Sequence, residues 1–210
     1  MGSKTMRLNV NPTRMELIKL KRRVVTAKRG HKLLKEKRDG LMKQFMAIIK
    51  EARDKRETIE SSLASAFKAF VFASADMRPE VMQEALSFPS IKTTLEVDTQ
   101  NVMSVNIPQF KMQKEGDFLS YGLASTSSDL DESLEIFSKV LEDMVKLAEI
   151  EHSARLLSEE IEKTRRRVNA LEYVFIPNME ETIKYISAKL TEQERSAFAT
   201  LMSLKDKIAG

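Results

Sequence analysis

From Leu17 onward, a mostly apolar row of positions returns in steps of three and four residues, at Leu20, Val24, Ala27, His31, Leu34, Arg38, Leu41, Phe45, Ile48 and Ala52, with only His31 and Arg38 polar. Such spacing predicts a long amphipathic helix with a heptad seam. The register slips between Lys55 and Ser62 and resumes as Ile59, Leu63, Ala66 and Phe70, the signature of a stutter through which the helix continues. Proline is absent from Thr13 to Arg78. Two start signals precede the seam: Asn11-Pro12, with proline in the first turn, and a capping box from Thr13 to Glu16.

A second seam follows Ser128-Asp129, with Glu132 three residues beyond Asp129. Val140, Leu147, Ala154, Ile161, Val168 and Phe175 recur every seven residues, with Ile150, Leu157 and Leu171 on the neighbouring row. Beyond Pro177 the seam continues as Met179, Ile183, Ile186, Leu190, Ala197, Leu201, Leu204 and Ile208. The pattern predicts a helix of roughly 80 residues, roughly 120 Å long at 1.5 Å per residue, kinked near Pro177.

Arg78 to Ser128 reads differently. It holds three of the five prolines and short alternating runs at Leu95-Glu96-Val97 and Met103–Ile107, which predict a small β-hairpin. Ala124–Ser128 marks the loop into the second helix. The expected organisation is a tail over 1–12, a long helix over 13–78, a helix and hairpin insertion over 79–128, and a long helix over 129–210. Residues 1–5, ahead of a second methionine, read as an expression scar or a native start. The fold class is mainly α: a long antiparallel two-helix coiled coil with a small central β-hairpin region.

Charge decides which helix pairs with which. Residues 13–78 carry 18 basic and 8 acidic side chains, whereas residues 129–210 carry 12 and 17. A basic and an acidic helix of similar length prefer each other to a second copy of themselves. The seam, at roughly 1.5–3 kcal/mol per fully buried Leu, Ile or Phe, outweighs flanking ion pairs at roughly 0–1 kcal/mol each.

The 210 residues include no cysteine, which excludes a disulfide scaffold, a thiolate metal site and a cysteine nucleophile. Gly30 and Gly40 lie inside a helical pattern and form no phosphate loop. His31 and His152 fall in different helices outside any His-Glu-x-x-His context, so neither a metal nor a cofactor is expected. On the seam, His31 and Arg38 read as core or registry residues. Gly30 admits two readings, close approach of another backbone or a tolerated defect. Lys19 to Arg38 has ten basic residues against one acid, Glu36, and suits either a phosphate backbone or an acidic protein cavity. Without Phe, Tyr or Trp in that stretch, single-strand stacking is unsupported and no nucleic-acid partner is expected. Arg165, Arg166 and Arg167 pose a similar choice between a solvated patch and a contact surface. No apolar run reaches the roughly 20 residues needed to cross a bilayer, so no direct membrane insertion is expected and the default compartment is the cytoplasm.

Two segments go beyond generic coiled coil. One is Asn11-Pro-Thr-Arg-Met-Glu-Leu-Ile-Lys-Leu-Lys-Arg22 with Ala27-Lys-Arg-Gly-His-Lys-Leu-Leu-Lys-Glu-Lys-Arg-Asp-Gly-Leu41. The other runs from Glu159 to Pro177 and contains Thr164-Arg-Arg-Arg-Val-Asn-Ala-Leu-Glu172. They resemble the D subunits of V-type and archaeal A-type ATPases, the central rotor shaft, over about two thirds of the chain; residues 79–128 resemble that family only in position and hairpin character. The resemblance implies a non-catalytic shaft, peripheral to the membrane, whose paired termini enter a hexameric ring of A and B subunits. It also implies an F subunit bound to the shaft and a membrane-side connecting subunit below. Expected ring contacts are Arg165, Arg166 and Arg167 with Lys21, Arg22, Arg23, Lys28 and Arg29 of the basic helix. The helical pattern by itself leaves open a non-rotary coiled-coil scaffold, a chaperone-like clamp and a nucleic-acid-binding rod.

Overall fold

The computed structural model describes residues 7–87, 90–116, 121–122 and 126–209. Residues 1–5, and Ala124 and Ser125 of the expected loop, lie outside them. In chain order the elements are α1 (Arg14–Asp76), α2 (Pro79–Ser87), β1 (Lys92–Val102), β2 (Val105–Glu115), α3 (Ser128–Ala170), a π-helical turn (Leu171–Phe175) and α4 (Ile176–Ala209). The fold is mainly α with one antiparallel hairpin. Two compact units divide the chain, one from residues 1–40 with 161–210 and the other from 41–160.

In the first unit α1 opens on the second of its two start signals. Thr13 Oγ1 accepts the Glu16 backbone N–H at 3.3 Å, and the Thr13 carbonyl accepts that of Leu17 at 3.0 Å. Leu20 and Val24 of α1, Ile161, Thr164 and Val168 of α3, and Thr182 and Ile186 of α4 are buried; Leu17, Leu34, Leu171, Ile183 and Leu190 are partly buried. Ion pairs fix the antiparallel sense, because Lys28 meets Glu180 at 2.7 Å while Arg14, earlier in α1, meets Glu194, later in α4.

Two features of the predicted second seam are corrected here. Phe175 is 55% exposed, and Ile176 takes the more buried place beside it. The cause is the π turn: Ile176 donates its backbone N–H to the Leu171 carbonyl five residues back, which widens the turn and rotates the helix beyond it. The irregularity expected near Pro177 falls here: α3 and α4 are joined by this turn, with Pro177 accommodated in the first turn of α4. Ala197, Leu201, Leu204 and Ile208 are likewise exposed, Ile208 at 85%. Arg14, the first residue of α1, pairs with Glu194, so this stretch of α4 lies past the start of the helix that would cover it.

In the second unit, Leu41, Ile59, Ala66 and Ala73 of α1 and Leu130, Val140, Ala154 and Leu157 of α3 form the buried core, with Phe45, Ile48 and Leu147 partly buried. Phe137 of α3 takes the edges of Phe67 and Phe70, with centroids 5.4 and 6.5 Å away. The hairpin turns at Met103-Ser104, both at positive φ (50° and 71°), the backbone of a type I′ turn. The alternating run predicted at Met103–Ile107 is therefore half turn and half strand. The Asn101 side chain stabilises it, accepting the Ser104 N–H at 3.2 Å and donating to Asn106 Oδ1 at 2.7 Å. Strand β2 lies towards α3, because the Phe110 N–H donates to Glu149 Oε2 at 2.8 Å and Lys114 Nζ meets Glu142 Oε1 at 2.9 Å.

Candidate interaction surfaces

The basic side chains of the first unit stand outward because the seam has taken the inward positions. Lys21, Arg22, Arg23, Lys28 and Arg29 are all exposed on α1, as are Arg165, Arg166 and Arg167 on α3. Lys28 is committed to Glu180, and Arg166 to Glu162 one turn earlier in its own helix. Lys21, Arg22, Arg23, Arg29, Arg165 and Arg167 have no side-chain partner among the described residues. The structure thus gathers both predicted basic groups into one unit and leaves most of their charges free for an acidic surface.

The seam histidine resolves differently from the seam glycine. His31 is partly buried and its Nε2 lies 3.4 Å from Glu172 Oε2, on the π turn, so it registers α1 against that turn. Nothing stands within 4 Å of a Cβ built on Gly30, so no other backbone approaches it closely. Arg38 pairs with its neighbour Asp39 at 2.7 Å.

In the second unit an open groove of about 370 Å³ is lined mainly by Leu63, Leu86, Leu134, Phe137, Leu141 and Met144. At its edge Lys114 is tied to the Ser138 hydroxyl at 3.0 Å and to Glu142; the hydrogen bond and charge of that lysine hold the Glu142 carboxyl below the usual range. Tyr121 donates to Asp131 Oδ1 at 2.6 Å, and burial together with this bond pushes the phenol well above its ordinary value.

Two features have no counterpart in the seam pattern, the segment before α1 and the π turn. Arg7 and Leu8, in the expected tail, lie against α4: the Leu8 N–H donates to Thr182 Oγ1 at 3.0 Å, while Arg7 reaches Glu181 at 3.5 Å and stacks 4.8 Å over the Tyr185 ring. The only sequence trace of this strap is a threonine at an inward position of α4. The π turn does leave a sharper trace. Val168 and Ile176 are eight residues apart, where the repeat on either side is seven.

Among the described residues, no helix is long and apolar enough to cross a membrane. Compared with known proteins, the chain matches a family described as the D subunit of ATP synthase over residues 16–206. It is 50% identical to a V-type ATP synthase D subunit of Fusobacterium nucleatum over 205 residues, covering 96% of this chain and 97% of that protein. A V-type ATP synthase D subunit of Thermoanaerobacter sp. is 49% identical over 203 residues, with 96% and 97% covered, and one from Clostridium botulinum is 50% identical, with 95% of each covered.

Proposed function

The chain belongs to the family of ATP synthase D subunits, and on that premise we propose that it is the central-stalk rotor shaft of a V-type rotary ATPase. The observation that carries this is the extent of the match, which spans both long helical segments and the hairpin at about half identity overall. A scaffold that shared only the heptad pattern would match in the coiled-coil stretches and not across 79–128. In this role the chain does no chemistry itself. It couples ATP hydrolysis or synthesis in a ring of A and B subunits to rotation and ion transport, and it works at the cytoplasmic face of the membrane as a peripheral component.

Flexible lysine and arginine side chains suit a part that passes equivalent ring positions in turn. Their attraction to acidic walls depends little on register, and each exposed pair is worth only about 0–1 kcal/mol. Arg165, Arg166 and Arg167 with Lys21, Arg22, Arg23, Lys28 and Arg29 are the residues proposed to face the ring. An asymmetric shaft that favours one catalytic interface over another by about 1.4 kcal/mol changes nucleotide affinity there tenfold. Linkage makes the effect reciprocal, so nucleotide occupancy turns the shaft. The F subunit of the stalk and a membrane-side connecting subunit are proposed as its other partners.

Native mass spectrometry of this chain mixed with the A/B head and the F subunit of the same source tests the proposal, with ATPase activity read in parallel. One copy per hexameric head with altered turnover is the expected result. Several copies per complex, or failure to enter a competent head, would overturn it in favour of the scaffold.

A further inference from the structure

The π turn at Leu171–Phe175 is a single residue inserted into an otherwise regular repeat. Val140, Leu147, Ala154, Ile161 and Val168 are spaced by seven; the next step, to Ile176, is eight; Ile183 and Leu190 then resume sevens. Removing one residue from the turn would place Val168, Ile176, Ile183 and Leu190 on one uninterrupted seam, so the insertion is not needed to keep the seam facing inward. It also has a cost. It leaves Tyr173, Val174 and Phe175 60, 47 and 55% exposed, and Pro177, which has no N–H, withholds from the Tyr173 carbonyl its α-helical donor.

The facing helix is weakened at the same level. Gly30 lies next to His31, whose ring meets Glu172 of the π turn at 3.4 Å. Since nothing comes within 4 Å of its missing Cβ, packing does not require a glycine there. Glycine in a helix interior relaxes the backbone. Kinks and π-bulges are the usual places where helices bend.

We propose that Gly30, the Leu171–Phe175 turn and Pro177 together form a compliant joint within the first unit, where the paired helices absorb twist and bending, with the His31–Glu172 contact keeping the two weak points level. Its use in torque transmission rests on the proposed shaft role; its existence does not.

Hydrogen exchange on the full chain tests the joint directly. Backbone amides of residues 172–176 and 178 are expected to exchange about tenfold faster than those of 150–168. Deleting Val174 should abolish that excess while leaving the circular dichroism helical, and Gly30→Ala should slow exchange around residue 30 with the packing unchanged. Equal exchange in the two wild-type stretches would overturn the joint, as would an excess that persists in the deletion variant. If the deletion variant does not fold, Gly30→Ala decides the matter: unchanged exchange around residue 30 overturns the proposal. In a head assembled with the F subunit, single-molecule recording of shaft angle should show a spread about twofold narrower for the deletion variant, in keeping with slow collective motion at the joint; an unchanged spread counts against it. If the wild-type chain enters no head, the shaft role fails, while the exchange result still stands for or against the joint.

Discussion

Leu8 and Thr182 are separated by 174 positions in the chain, and the backbone N–H of the first donates to the hydroxyl of the second at 3.0 Å. Thr182 is 1% exposed and its hydroxyl donates in turn to the Asn178 carbonyl at 2.7 Å, so one side-chain oxygen joins the segment before α1 to the first turns of α4. Thr182→Val keeps the shape and removes both bonds, leaving the Leu8 N–H without its acceptor. Stability should fall by about 1–2 kcal/mol, and limited proteolysis should cut before residue 13 faster than in wild type. A variant with wild-type stability and an equally protected strap would show that Arg7, through Glu181 and Tyr185, suffices to hold the segment.

Gly116 is the one described glycine whose backbone demands it. Its φ is +100°, and a Cβ there would stand 2.4 Å from the Ser90 carbonyl oxygen, a backbone atom unable to swing aside. Gly116→Ala should therefore destabilise the second unit by about 1–3 kcal/mol, combining left-handed strain with the clash. Chemical denaturation would register this as a lowered midpoint. Gly30→Ala is the contrasting control, since it meets open space in a helix and should stabilise by up to about 1 kcal/mol.

Where a periodic stripe faces another periodic stripe, the pattern of residues was enough to read the fold. Leu20, Leu41, Val140, Leu157, Ile161 and Val168 are buried because they sit in phase with a facing helix. The same pattern misleads beyond Leu190, where Leu201, Leu204 and Ile208 keep the spacing but lie past the start of α1 at Arg14. Hairpin existence was visible in the alternation, yet its turn was not. Met103-Ser104 lacks the Asn-Gly signature of a type I′ turn, and its positive φ angles are supported from outside by Asn101. The strap escaped because Arg7 and Leu8 have no periodicity of their own and their partners lie at the other end of the sequence. For the interaction surfaces, exposure of the basic residues follows from the seam, but which of them are already paired depends on individual rotamers that no spacing rule supplies.

Tyr121 offers a pH test confined to one residue. Burial and the bond to Asp131 raise its phenol above the ordinary value of 10, which means the folded state favours the protonated form. Its contribution to stability is complete below that ordinary value and is lost as pH rises towards the raised one. The chain has three tyrosines, of which Tyr173 is 60% exposed and Tyr185 39% exposed. Ultraviolet titration of the phenolates should show one late-ionising group. Tyr121→Phe should remove that late phase and leave the other two unchanged; a single phase of three in wild type would contradict the assignment.

The three consecutive arginines give the most direct test of the proposed ring-facing surface. Arg165 and Arg167 have no side-chain partner among the described residues, and Arg166 has only an exposed pair with Glu162, within its own helix. Because none of them holds the fold together, replacing all three with Ala should leave the melting temperature within about 2–4 °C of wild type, the shift that about 1 kcal/mol produces in a chain of this size. Against an acidic wall, by contrast, losing three positive charges should slow association and lower coupled ATP turnover in the assembled head by about tenfold, with the defect shrinking as salt is raised for both proteins. The same substitutions made as Lys separate charge from geometry: recovery of turnover would identify a diffuse electrostatic contact, whereas persistent loss would point to the paired, planar hydrogen bonding that only a guanidinium provides. Unchanged turnover in the Ala variant at low salt would remove these residues from the ring contact and leave Lys21, Arg22, Arg23 and Arg29 of α1 to carry it.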